Sequence, residues 1–286
     1  MMTPAMWTSI LIELPPVEAV RSLAGIGWEA FELSTEHLEM VADAASPEAA
    51  ADELAAAVDD LGVTMPQAHL LISADVASLD EKRRESDLAR VEQHIALCRR
   101  IGVEVGVIHP GGGQPATWEE WQRQAELRVD GFRRLAECAA GHDFRLAVED
   151  TMDSGGGTSA AMGRRRYGAV IPELHELIDA VGADCMGICL DVGHANVQGL
   201  TMAEGVRQCG ERLIALHIQD NDGNSDQHLA PGRGSIDWEA GIGALRELGF
   251  EGIFNLEIPG ERGLPVELTL KRMEGVLAAT RWLLER

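Results

Sequence analysis

Eight times along this chain, an apolar run of strand length gives way to a polar or glycine-bearing turn and then to a stretch with helical spacing. No run of consecutive hairpins interrupts the pattern, so each helix must carry the chain back to start a strand parallel to the last. The strands are expected at Thr8 to Leu14, Ala30 to Ser34, Met65 to Leu71, Val103 to His109, Arg145 to Glu149, Gly187 to Asp191, Ile214 to Ile218 and Ile253 to Ile258. The helices between them are expected at Val17 to Ala24, Pro47 to Leu61, Glu81 to Arg100, Trp118 to Ala140, Val170 to Val181, Met202 to Arg212, Trp238 to Leu248 and Val266 to Leu284. Punctuation agrees: Thr117 and Asp237 stand where N-caps belong, and Gly62 and Gly102 where helices stop. Eight such units in 286 residues, 45% of them hydrophobic, match the size of a closed barrel with one core. The fold class is therefore α/β, a single (β/α)8 TIM barrel with residues 1–286 as one domain. A doubly wound open sheet is the competing fold, but no G-x-G-x-x-G follows the first strand.

In such a barrel, chemistry sits where strands end and βα loops begin. His69, His109, Glu149, Asp191, His217 and Glu257 occupy those ends for the third to eighth strands. Alternation along a strand says which way they point. Leu146 and Val148 face the helices, turning Glu149 inward. Ile188 and Leu190 do the same for Asp191, Leu216 and Ile218 for His217, and Phe254, Leu256 and Ile258 for Glu257. Converging like charges in a barrel mouth are costly unless a cation compensates them. Three carboxylates and an imidazole suit one divalent ion, Mn²⁺, Mg²⁺, Co²⁺ or Zn²⁺.

His69, His109, His194 and His228 form a further ring, read as facing substrate, with a second or third metal as the alternative. His194 follows Asp191 by three residues in LDVGHAN. In the loop from Leu216 to Gly234, Asp226, His228 and Arg233 are assigned to the substrate wall, whereas Asp220 and Asp222 are expected to be solvated. His37, His94, His142 and His175 are expected on the surface. Glu32 points into the barrel near the second strand end, with a structural pairing to an arginine as the equal alternative. The glycine-rich, then basic, loop from Met152 to Tyr167 is expected to be mobile, with Arg164 to Arg166 able to close over a ligand.

Bulk charge limits the partners. With 47 acidic against 24 basic residues and a net charge of -23, the surface repels polyanions, so nucleic acid and anionic membranes are disfavoured. No basic segment followed by a long apolar core opens the chain, and no apolar run reaches membrane-spanning length, so a cytoplasmic location is expected. Five cysteines, an odd number without framework spacing, fit reduced thiols.

VEDT at 148–151, LDVGHAN at 190–196, LHIQDND at 216–222, DQHLAPGRGSIDW at 226–238 and LEI at 256–258 together resemble the xylose isomerase-like TIM-barrel superfamily, in particular its sugar phosphate isomerase/epimerase branch. The resemblance implies one divalent metal on Glu149, Asp191, His217 and Glu257. It also implies that Glu149 and Glu257 exchange a proton with a sugar or polyol-type ketose through an enediolate that the metal stabilises. The ketose 3-epimerases of that branch carry a glutamate where Gly155 to Gly157 stand here, and an arginine where Gly223 stands. A related dehydratase of the inosose dehydratase type therefore stays open. So does the apurinic-site endonuclease branch, a zinc phosphodiesterase whose nine metal ligands match His69, His109, Glu149, Asp191, His194, His217, Asp226, His228 and Glu257 in order. The acidic charge balance weighs against a DNA substrate, and a non-catalytic sugar-binding barrel is the alternative from another class. A small sugar or polyol is the expected partner, and a homo-oligomer is compatible with it.

Overall fold

Strand-length apolar runs alternating with amphipathic helices can bury both faces of a parallel sheet only if the helices cover its outside and side chains fill its inside. That is the arrangement in the computed structural model, which describes residues 2–113, 115, 117–153, 166–260 and 263–286. The strands are β1 (Thr3–Trp7), β2 (Ala30–Leu33), β3 (Thr64–His69), β4 (Val105–Ile108), β5 (Arg145–Glu149), β6 (Met186–Asp191), β7 (Leu213–His217) and β8 (Ile253–Leu256). They lie parallel in the order β7-β6-β5-β4-β3-β2-β1-β8. A single bridge between Ile218 and Leu256 closes the ring, with Ile218 N–H on the Asn255 carbonyl at 2.8 Å and Glu257 N–H on the Ile218 carbonyl at 3.0 Å. The result is a single (β/α)8 TIM barrel.

Alternation works as expected in β5 to β8. Leu146, Val148, Ile188, Leu190, Leu216, Phe254 and Leu256 pack outward into the large core under the helices. Val105, Val107, Ala147, Cys189 and Ala215 form a separate apolar layer inside the barrel. Thr117, Asp80 and Asp237 cap the helices Trp118–Gly141, Glu81–Ile101 and Trp238–Leu248 through their side chains. The five cysteines are unpaired. Among the described residues, no helix is long and apolar enough to cross a membrane.

The first strand departs from expectation. It runs over Thr3–Trp7, and Thr8–Leu11, expected within a strand, is a 3-10 turn. Pro4 sits at the second position of β1, where one missing donor is tolerated. Thr8 is drawn off the sheet because its hydroxyl accepts the Ser34 N–H at 2.9 Å and lies 2.8 Å from His37 Nδ1. Two short helices after strand ends were also unexpected. Thr35–Ala42 starts on the Ser34 side chain, and Val192–Val197 starts on Asp191.

Those helices overturn part of the histidine reading. His37 is fully buried, with Nε2 on the Leu14 carbonyl at 3.0 Å. His94 is fully buried as well, where Glu39 of the unforeseen helix reaches its Nε2 at 2.6 Å. His142 is exposed as expected, and His175 is half-buried against the Gln208 carbonyl.

Candidate metal centre

Each strand end delivers its side chain to the barrel mouth by register. Asp191 pairs with His217 across β6 and β7, and Glu149 pairs with Cys189 across β5 and β6. His109 and Glu257 are the first residues beyond β4 and β8. Three groups of side chains bring ligand atoms within 4.8 Å of one another: Glu149, Asp191, His217 and Glu257; His69, His109 and Glu149; and His69, His217 and Glu257. The fold thus gathers all four expected ligands at one point.

Glu149 is the hub. Its Oε1 lies 3.1 Å from His217 Nδ1, and its Oε2 lies 3.2 Å from both His69 Nε2 and His109 Nε2. Each of the latter histidines turns Nδ1 to a backbone carbonyl, of Leu70 at 3.1 Å and of Ile72 at 3.3 Å, which leaves Nε2 facing the carboxylate. Asp191 divides its labour between its oxygens. Oδ1 accepts the N–H groups of Gly193 (2.7 Å) and His194 (2.8 Å), capping the short helix, while Oδ2 has no hydrogen-bond partner among the described residues. Glu149 Oε2 and His69 Nε2 are buried too, and although they lie 3.2 Å apart neither makes a well-formed hydrogen bond among the described residues. Buried polar atoms are normally satisfied. Three such atoms in one cluster, all lone-pair donors, fit a divalent cation.

Proton affinities are pulled apart across the cluster. Burial pushes Glu257 up to about 8, with Glu149 and Asp191 adding to the rise against the pull of His217. Burial also works to raise Glu149, but the positive fields and hydrogen bonds of His217 and His109 prevail and hold it well below the usual carboxylate range. Asp150, directly after Glu149, is raised by burial; its Oδ1 accepts the Asp191 N–H at 2.7 Å.

A second tier stands around the four. His194 donates from Nδ1 to the Asp150 carbonyl (2.9 Å) and faces Asp226 at 3.6 Å. His228 donates from Nδ1 to the Glu257 carbonyl (2.8 Å) and lies 3.0 Å from Asp226 through Nε2. Burial opposes charge on His228, but Asp226 and Glu257 outweigh it and lift it to about 9. Its backbone sits at φ 47°, the left-handed region that a histidine rarely adopts, so two hydrogen bonds hold it in a strained pose beside the cluster. Gly193 is required by close approach, because a Cβ there would lie 2.0 Å from the Gln219 carboxamide, which bonds both Asp191 and Asp226.

Arg233 stands apart. It is exposed and lines a separate cleft of about 660 Å³ with His228, Ile258 and Arg272. Among the described residues it makes no hydrogen bond or ion pair with the cluster. Asp220, expected to be solvated, is fully buried and accepts from Asn221 N, Gly232 N, Ile236 N and Trp238 Nε1 at 2.8–3.3 Å. It pins the returning loop, and Gly234 is needed there because a Cβ would meet its carboxylate at 2.3 Å. Asp222 is exposed as expected. A cleft of about 460 Å³ opens beside His109, lined by Ile72, Asp75, Arg83, Gly112 and Arg166. Gly155 to Gly157, Arg164 and Arg165 lie outside the described residues, whereas Arg166 is exposed in that cleft.

The sequence missed what holds the centre from below. Glu32 is fully buried, and its partners are not arginine but His217 Nε2, 3.1 Å from each carboxylate oxygen, Asn255 Nδ2 at 3.0 Å and Gln67 Nε2. Alternation in the second, third and eighth strands was the available signal, since Glu32, Gln67 and Asn255 all fall on inward positions.

A parallel eight-stranded barrel with a buried cluster of carboxylates and imidazoles at its C-terminal mouth defines the class: a TIM barrel with a candidate site at its strand ends. The chain belongs to the xylose isomerase-like TIM barrel family, whose model it matches over residues 20–286. It is similar to the inosose isomerase of Bacillus velezensis, 22% identical over 200 residues, 67% of each chain. Its fold is that of a D-tagatose 3-epimerase-like protein, with a TM-score of 0.80 at 20% identity over 99% of this chain and 98% of that one. It is also that of the IOLI protein with a bound zinc atom, at 0.78 and 18% over 99% and 98%. The chain spans about three fifths of the length of two further relatives, uncharacterized proteins of Methanocaldococcus jannaschii and Mycobacterium leprae (59% and 61%), at 27% and 29% identity.

Proposed function

We propose that the protein is a divalent-metal-dependent isomerase or epimerase of a sugar or polyol-type ketose. The observation that carries this reading is the group Glu149, Asp191, His217 and Glu257, four buried side chains with ligand atoms within 4.8 Å of one another. These four would hold the cation, and His69 and His109 with Glu149 offer room for a second. When bound, such a cation draws electron density from a substrate carbonyl and so acidifies the adjacent C–H. Everything else falls to the chain's own residues. Glu149 and Glu257 stand in one small site, each beside His217 Nδ1, at 3.1 and 3.5 Å, an arrangement in which two carboxyls can work as base and acid. Glu149 takes the proton from carbon, and Glu257 returns one. Return to the other face of the same carbon gives an epimer, and return to the neighbouring carbon gives an aldose–ketose isomer. His194, Asp226 and His228 line the site as partners for substrate hydroxyls. The similarity to an inosose isomerase, together with folds shared with ketose epimerases, supports a polyhydroxy ketone as substrate.

The test is deuterium wash-in. In D₂O with added Mn²⁺ or Zn²⁺, candidate ketoses and inososes should gain one solvent deuteron at the carbon next to the carbonyl. Glu149→Gln and Glu257→Gln should each slow that exchange by at least about 10²-fold, the lower range for a positioned general acid or base. Exchange that continues undiminished in both variants removes them from the chemistry.

A further inference from the structure

We propose that Glu32 is a positioning residue: its carboxylate accepts the Nε2–H of His217 and so holds the ring in the tautomer and orientation that leave Nδ1 facing Glu149, Asp191 and Glu257. The inference rests on the metal reading above and adds to it a residue from the opposite side of the barrel.

The geometry is one-sided. His217 Nε2 lies 3.1 Å from both oxygens of Glu32, while Nδ1 lies 3.1 Å from Glu149 Oε1 and 3.5 Å from Glu257 Oε2. The two ring nitrogens therefore serve different layers, with Nε2 looking down to Glu32 and Nδ1 up to the ligand cluster. Glu32 is itself locked. Asn255 Nδ2 donates to its Oε2 at 3.0 Å, and Gln67 Nε2 donates to the same oxygen. All four side chains are essentially excluded from solvent. A histidine that binds a cation is commonly fixed by a carboxylate on its other nitrogen, and loss of that partner typically weakens binding about 10- to 100-fold.

The same locks dictate what Glu32→Gln does. Two amide donors converge on Oε2, so the new carboxamide places its oxygen there and its NH₂ at the other position. His217 Nε2 then keeps one acceptor, already shared with Asn255 and Gln67, and meets a donor where it had a second acceptor, so the hold on the ring and on its Nε2–H tautomer weakens. Glu32→Asp keeps an acceptor.

Zinc and manganese affinities should be measured by chelator competition on wild type, Glu32→Gln and Glu32→Asp, with the melting temperature of the EDTA-treated proteins alongside. Glu32→Gln should bind about 10- to 100-fold more weakly, with Glu32→Asp recovering part of the loss. In long-range ¹H–¹⁵N spectra of the zinc-loaded wild type, the His217 proton should reside on Nε2. That measurement needs no variant to fold. Affinity of Glu32→Gln within about twofold of wild type, or a proton on Nδ1 in the zinc-loaded protein, overturns the inference while leaving the metal reading intact. A wild type that binds neither cation overturns both.

Discussion

Asp191 offers a clean way to separate cation binding from folding, because its two oxygens have different tasks. Oδ1 caps the helix Val192–Val197 through Gly193 and His194, and Oδ2 points unpartnered into the cluster. Asparagine caps helices about as well as aspartate, so in Asp191→Asn the oxygen keeps the cap and the NH₂ replaces the free ligand atom. The metal-free variant should melt within a few degrees of metal-free wild type, or above it, since one of three crowded carboxylates has lost its charge. At a free cation concentration of 100 times Kd, ligand linkage stabilises wild type by about 2.7 kcal/mol. At roughly 2–4 °C per kcal/mol for a chain of this size class, that is a rise of about 5–10 °C. If losing the ligand weakens binding about 100-fold, the same concentration equals Kd and contributes only about 0.4 kcal/mol, or roughly 1 °C. Differential scanning calorimetry of EDTA-treated protein, with and without Mn²⁺, Co²⁺ or Zn²⁺, reads both numbers. A full shift retained in Asp191→Asn would refute the assignment of Oδ2, and a large loss of metal-free stability would refute the division of tasks.

Two further outcomes follow from groups away from the cation. His94 is buried with Nδ1 unpartnered, and burial holds its pKa down at about 4 despite Glu39. The unfolded chain takes up this proton near 6.5 and the folded one only near 4, so stability should fall as pH drops from 6.5 towards 4, by about 3 kcal/mol in full. Urea unfolding at several pH values should show a shallower slope in His94→Gln than in wild type, the remainder coming from His37 and His109, which burial also lowers. Asp220→Ala strands four donors that converge on one buried carboxylate and should cost about 3 kcal/mol or more. It should also open the segment 221–236 to limited proteolysis, and an unchanged cleavage pattern would contradict the pinning role.

How legible this was depended on sequence distance. Glu149, Asp191, His217 and Glu257 could be read because strand alternation is local and the strand-end rule needs only the order of elements. The support beneath them was not legible as a unit. Glu32 meets Gln67, His217 and Asn255 across separations of 35, 185 and 223 residues. Inward placement of each could be inferred, but not that they touch. Asp220 looked like turn composition because nothing local shows that Gly232, Ile236 and Trp238 fold back over it. The first strand was placed too late because the apolar run after Thr8 reads as a strand, whereas Thr8 is held off the sheet by Ser34 and His37, 26 and 29 residues away. His94 was misplaced because its cover is the helix Thr35–Ala42, whose only announcement is Ser34 as an N-cap.

The narrowest lateral joint of the barrel lies between β7 and β8, where one bridge closes the ring. His217 and Glu257 stand on either side of that joint, 3.5 Å apart. A cation shared by them would act as a rivet across the hoop, joining the last strand to its neighbour. Closure of the polypeptide ring and assembly of the chemical site would then be a single event, and a chain whose final strand had not yet docked would hold only part of its ligand set.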